Sequence, residues 1–236
     1  MSVEERYLYT MATQIDVCLD VDKSFYSNVI SKNANQIEQI WNDINSNRSE
    51  KPLFNGSIVS VTDIENNQDQ IIIHGHAIEY KHYLAQRHGV DLGIVPLAIS
   101  GVTWYERENE KQIIVGKRSA HVTQYPECYE LVPSGSVDVP SNFIDQAKSE
   151  LIEEIGIKET DIHHAHGFCV IDDTIGKIVN IGVDLKIDNP QSTIANKDEY
   201  MHLNHIVSSK MEKFLNQENI VEMMPCLMKA WRQYHG

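Results

Sequence analysis

The sequence predicts an α/β protein in which helices pack on a mixed sheet, preceded by a smaller α/β N-terminal extension. Three observations carry this. Stretches such as QIIIHGHAIEY and KIVNIGVDLKI have the alternation and β-branched content of strands. Ile144, Ala147, Leu151 and Ile155 recur at helical spacing, so one stripe of that helix faces a core. Strands lie on both sides of this helix and a second helix comes late, an order that suits helices laid on a sheet.

The chain has 236 residues and a formal net charge of −14. That length suits one sizeable domain with an extension. The negative charge argues against a nucleic-acid surface, which needs a basic face. An anionic ligand here would need metal ions or a local Lys/Arg cluster. No apolar run is long enough to span a bilayer, and MSVEERYLYT lacks the apolar core of a signal peptide, so neither a membrane nor secretion is expected. The expected setting is the cytoplasm. Cys18, Cys128, Cys169 and Cys226 are scattered without a CxxC pair and read as free thiols.

In order along the chain, TQIDVCLDV within residues 10–22 reads as one strand. Ile37, Ile40, Trp41 and Ile44 then predict a helix that stops in the polar run Asn45–Ser49. Leu53–Gly56 is a turn into the strand SIVSVTDIE, and Asn66–Asp69 a reversal into QIIIHGHAIEY. YKHYLAQRHG is a short helix closed by Gly89. The expected domains are 1–91 and 92–236. From 92 onward GIVPLAISGVTWYE and KQIIVGKRSA pair as strands, and Tyr129–Val132 is a short strand. HAHGFCVID and KIVNIGVDLKI form a hairpin around Asp172–Gly176, and MHLNHIVSS is the last strand. Lys210–Trp231 is expected as a terminal helix broken or kinked at Pro225.

The helix carrying Ile144 to Ile155 is the centre of interest. Ser141 or Asn142 can cap it, and Gly156 stands just past its end. Glu150, Glu153 and Glu154 lie at i, i+3 and i+4, on a side expected to be other than the apolar one. Carboxylates in a last turn face the negative end of the helix dipole and repel one another, each effect costing about 0.3–1 kcal/mol. A solvated acidic face tolerates that. A hard divalent cation turns it to advantage, because such ions take carboxylate oxygens.

The stretch Gly135–Ile157 resembles the Nudix box, G-x5-E-x7-R-E-U-x-E-E-x-G-U with U a bulky aliphatic residue. Gly135, Glu150, Leu151, Glu153, Glu154, Gly156 and Ile157 fill their positions at the family spacing. Ser141 stands for the early glutamate and Ser149 for the arginine. The resemblance implies a Nudix α/β/α sandwich over residues 92–236 and a diphosphatase using Mg2+ or Mn2+. By position it makes Glu150, Glu153 and Glu154 the catalytic and metal-binding residues, with a carbonyl near Ser134 or Gly135 as a further ligand. Ser149 cannot supply the family's positive charge, so crowding is expected to raise carboxylate pKa values in the metal-free chain.

Arg118 and Lys117, with Gly135, are the expected substrate-binding residues, a guanidinium being suited to phosphate. Asp198 and Glu199 precede the last strand, where some family members carry another acid; here they read as a solvated loop. The histidine clusters His74/His76, His163/His164/His166 and His202/His205 read as ordinary surface or loop residues rather than zinc ligands. Tyr125, Tyr129 and Trp104 are candidates to stack a nucleobase, although aromatic residues in strands are usually core.

YKHYLAQRHGVDLGIVPLAISGVTWYE is similar to a subgroup that has an N-terminal α/β extension and includes UDP-sugar diphosphatases. The resemblance thus implies cleavage of a nucleoside diphosphate linked to another group, preferably a nucleotide sugar, giving nucleoside monophosphate and sugar phosphate. The rival reading is a catalytically weak or inactive nucleotide-binding protein of the same fold, with Ser141 and Ser149 marking lost catalysis. A homodimer through the first 90 residues is a further reading.

Overall fold

The computed structural model describes residues 6–20, 24–46, 52–122, 124–139, 142–188 and 190–236. Strands β1 (Tyr7–Met11) and β2 (Gln14–Leu19) come first, followed by helices α1 (Ser27–Lys32) and α2 (Ala34–Ser46). Next are β3 (Ser57–Asn67), β4 (Gln70–Glu79), α3 (Tyr80–Arg87), β5 (Leu97–Arg107) and β6 (Glu110–Arg118). Short strands β7 (Tyr129–Leu131) and β8 (Ser134–Ser136) lead to α4 (Phe143–Ile155). The hairpin β9 (Ile162–Asp173) and β10 (Ile178–Ile187) precedes β11 (Tyr200–Val207), α5 (Met211–Leu215) and α6 (Met224–His235).

The large sheet runs β1-β9-β10-β5-β6-β11, with β7 on β6 and β8 on β5. Only β10 and β5 pair in parallel within it, so it is a mixed sheet. β2, β4 and β3 form a second, smaller sheet. Alternation along β10 shows how the layers arise. Val183 and Leu185 turn into the core beneath α4, whereas Asp184 between them points the other way, where α6 packs. One face of the large sheet is thus covered by α4 and the small sheet, the other by α6. The result is an α/β/α sandwich.

Two expected elements are present with an unforeseen neighbour, and one expectation is corrected. The strand expected in TQIDVCLDV is β2, and an unforeseen strand, β1, precedes it, because the chain changes sheets between them. Ala12 N–H donates to Phe168 of β9, then Thr13 N–H to Asp69 beside β4. The helix expected through Ile37 is α2, and an unforeseen short helix, α1, meets it at Asn33. Its side-chain amide bonds the Val29 carbonyl, while its own carbonyl accepts from Ile37 N–H, so one residue closes α1 and opens α2. The stop expected at Asn45–Ser49 falls partly outside the described residues. Finally, Pro225 does not kink a long terminal helix. It lies in the first turn of the separate helix α6, where its missing N–H costs nothing.

The stretch 1–91 is interleaved with the rest. It adds β1 to the large sheet's edge, and Val59, Val61, Ile71 and Ile73 to the core beneath α4. Among the described residues, no helix is long and apolar enough to cross a membrane.

Helix α4 starts at Asn142, whose side chain accepts from Ile144 N–H. Ser141, the other candidate cap, lies outside the described residues. The helix ends at Gly156, whose φ of 66° is the left-handed conformation glycine adopts freely. Ala147, Leu151 and Ile155 are fully buried while Ser149 is exposed. Leu151→Ala should therefore cost about 2–5 kcal/mol in denaturant unfolding, and Ser149→Ala less than about 0.5 kcal/mol. Equal losses would mean that α4 presents a different face to the sheet.

Candidate functional site

The box glutamates do not share one solvated side. Glu153 is exposed and Glu150 half-buried, but Glu154 is only 4% exposed. Sequence periodicity missed this because Glu154 precedes Ile155 at the edge of the apolar stripe, where side chains from β7 and β11 close over it.

Each of its oxygens has a partner. Oε1 accepts from the Ser134 backbone N–H at 3.2 Å, and Oε2 lies 3.0 Å from the Tyr200 hydroxyl. That hydroxyl is also 2.9 Å from Glu130 Oε1, while Ser134 Oγ donates to Glu130 Oε2 at 3.4 Å. Arg118 completes the group, its guanidinium bonded to Glu130 and to the Gln124 carbonyl. Arg118, expected to be available for substrate phosphate, is thus taken up in a buried ion pair. Lys117 lies beside it on β6, its ammonium 5.8 Å from the Tyr129 ring centre.

The glycines explain how so much fits. A Cβ at Gly135 would lie 2.9 Å from Glu150 Oε1, so any larger residue there would push that carboxylate aside. A Cβ at Gly116 on β6 would meet the Tyr200 ring at 2.4 Å. Glu150 also accepts from Gln146, one turn earlier, at 2.8 Å. Ser149 faces solvent and braces none of the acids.

A phenol has one hydrogen, yet Tyr200 lies within hydrogen-bond distance of two carboxyl groups. One of those carboxyls must supply the second proton. Burial raises both acids, and Arg118 draws Glu130 back toward its charged form, so Glu154, raised well above the usual carboxylate range, is the one that favours its protonated form. Burial pushes Glu154 well above the usual carboxylate range, and the charges of Glu130 and Glu150 push it further. Burial also raises Glu150, with Glu153 and Asp138 adding to the effect. The rise expected from crowding is present, but desolvation is its larger cause. Glu199 is half-buried and its charge bears on Glu130 and Glu150, whereas Asp198 is exposed.

Glu130, Tyr200 and Gly116 went unassigned in the sequence. Their signals were a charged residue in the short strand Tyr-Glu-Leu and a glycine within the β6 strand pattern.

The oxygens of Glu150 and Glu154 suit a hard divalent ion in donor type. As folded they turn to Gln146, Ser134 and Tyr200, and among the described residues no group of three or more His, Cys, Asp or Glu converges as a metal site.

No family model and no curated relative matches the chain. Among solved structures, DR0079 from Deinococcus radiodurans superposes with a TM-score of 0.50 over 74% of this chain and 99% of its own, at 10% identity. The architecture shared with it is an α/β/α sandwich. The Nudix domain of Shewanella oneidensis NrtR, complexed with ADP-ribose, gives a TM-score of 0.48 at 14% identity, over 60% of this chain and 88% of its own. An Ap4A hydrolase from C. elegans gives 0.45 at 17% identity, over 60% and 98%. At 10% identity the likeness to DR0079 is one of fold.

A raised carboxyl pKa stabilises the fold fully below the ordinary carboxylate range and loses that contribution as pH climbs through the raised value. With chelator present, wild type should therefore lose stability relative to Glu154→Gln as pH rises above the ordinary carboxylate range, by about 1.4 kcal/mol per pKa unit of elevation. Urea unfolding of both proteins over that rise checks this; a constant difference would place the proton elsewhere.

Proposed function

We propose that this chain is a metal-dependent Nudix-type diphosphatase acting on a nucleoside diphosphate linked to another moiety, preferably a nucleotide sugar. The observation that carries the reading is the fit of Gly135 against Glu150. Gly135 and Glu150, which match the box in sequence, pack directly against each other in space. Water would attack one phosphorus of the diphosphate and one P–O bond would break, giving nucleoside monophosphate and sugar phosphate.

Glu150 and Glu154 would hold Mg2+ or Mn2+, with Glu153 at the exposed edge as an assisting ligand. The ion would neutralise diphosphate charge and lower the pKa of a water. The chain's own residues prepare the site. Ser134 N–H and Tyr200 aim Glu154, Gln146 aims Glu150, and Arg118 acts through Glu130 to hold the Tyr200 hydroxyl in place. Lys117 is then the cation left for substrate phosphate. The sugar preference rests on the subgroup-like stretch YKHYLAQRHGVDLGIVPLAISGVTWYE, which forms α3, the following loop and β5. We place the activity in the cytoplasm, where the four free thiols stay reduced.

The exposure of Ser149 favours one rival, a nucleotide-binding protein with little turnover, because no cation braces the glutamates from that position. Calorimetric titration with MgCl2 or MnCl2 separates the two when paired with turnover. The diphosphatase reading expects a saturable isotherm in wild type, lost in Glu154→Gln and Glu150→Gln, with turnover reduced by about a hundredfold or more. Flat traces in all three, with nucleotide still raising Tm, would leave the binder.

A further inference from the structure

The face of the large sheet opposite α4 holds a second group of polar side chains. Asp184 on β10 is 1% exposed. Its Oδ1 accepts from Trp104 Nε1 at 2.7 Å, Trp231 Nε1 at 2.6 Å and His235 Nε2 at 3.0 Å. Oδ2 is served differently. The basic nitrogen beside it, His164 Nε2, is 3.5 Å away, and among the described residues no hydrogen bond to Oδ2 is made. An open cleft of about 490 Å³ lies over this carboxylate, lined also by Trp104, His163, His164, Lys186, Tyr234 and His235.

An ionised carboxylate buried between two indoles is costly, and an apolar side chain would pack there at less cost. The three N–H donors offset part of that cost at Oδ1 and leave the lone pairs of Oδ2 toward the cleft. The surroundings already draw cations. The ammonium groups of Lys111 and Lys186 sit 4.9 and 5.0 Å from the Trp104 ring centre. The Lys186 charge is itself answered by Glu106 at 3.3 Å.

An anion would meet the buried charge of Asp184 at close range. A hard metal ion needs several oxygen ligands, and this cleft offers one free carboxylate oxygen. An organic cation meets neither obstacle, since its N–H groups donate to Oδ2 and its body covers aromatic rings. We propose that this cleft binds a small organic cation, an amine or amidine, with Asp184 Oδ2 as acceptor and Tyr234, His164 and His235 against its body. The site lies across the sheet from the box glutamates and does not depend on diphosphatase activity.

The indoles provide a local readout. Trp104 and Trp231 donate to Asp184, while Trp41 on α2 serves as an internal reference. In 15N-labelled full-length protein, benzamidine should shift the Trp104 and Trp231 indole N–H signals saturably and leave Trp41 in place. Benzoate, the anion of similar shape, should shift none of them. Asp184→Asn should weaken benzamidine binding by about tenfold or more. Tyr234→Ala, which keeps the carboxylate and its donors, should also weaken it and decides the matter if Asp184→Asn fails to fold. Absence of saturable shifts, equal shifts with benzoate, or wild-type affinity in Tyr234→Ala would each overturn the proposal.

Discussion

The Tyr200 hydroxyl stands between two buried carboxyl groups, Glu130 and Glu154, and has one hydrogen to give them. Two bare carboxylates sharing that position would repel in a medium of low dielectric. Arg118 faces Glu130, and burial favours the protonated form of Glu154. The rest of the site follows from that division. β6 carries glycine at 116 because the Tyr200 ring lies across it, and the Glu150 carboxylate packs against Gly135. Ser134 contributes to both acids, through its N–H to Glu154 and its hydroxyl to Glu130. A half-satisfied polar group of this kind would be a liability; here each acid's oxygens have partners.

The same large sheet carries polar chemistry on both faces, and strand alternation keeps the two apart. On one side Ser134 and Tyr200 meet the acids of α4. On the other, Asp184 collects the indoles of β5 and α6. Between them the strand residues Val183 and Leu185 fill the core beneath α4. Both buried acids are held by donors from several elements, so each fixes the relative placement of distant stretches of chain. Trp231 and His235, near the C-terminus, thereby lock α6 onto β10.

Most of the fold was legible because its signals are local. Alternation in QIIIHGHAIEY, the i, i+3, i+4 stripe of α4 and Gly156 each act within a few residues. What escaped depends on partners remote in sequence. No local pattern shows that Ala12 leaves one sheet for another, or that Asn33 serves two helices at once. The site divides the same way. The glutamate spacing was visible, but the burial of Glu154 comes from Tyr200, distant in sequence, and from Glu130 in a three-residue strand. The guanidinium of Arg118 looked free for phosphate because its partner Glu130 lies on another strand.

The central claim is that these acids serve hydrolysis of a diphosphate, and release of product from a defined panel tests it most directly. Nucleotide sugars, ADP-ribose and dinucleoside polyphosphates would be incubated with the full chain and Mg2+, and products followed by coupled phosphatase and chromatography. The account predicts nucleoside monophosphate and sugar phosphate from at least one nucleotide sugar, with no release by Glu154→Gln. Absence of turnover across the panel, or turnover undiminished in Glu154→Gln, would contradict it.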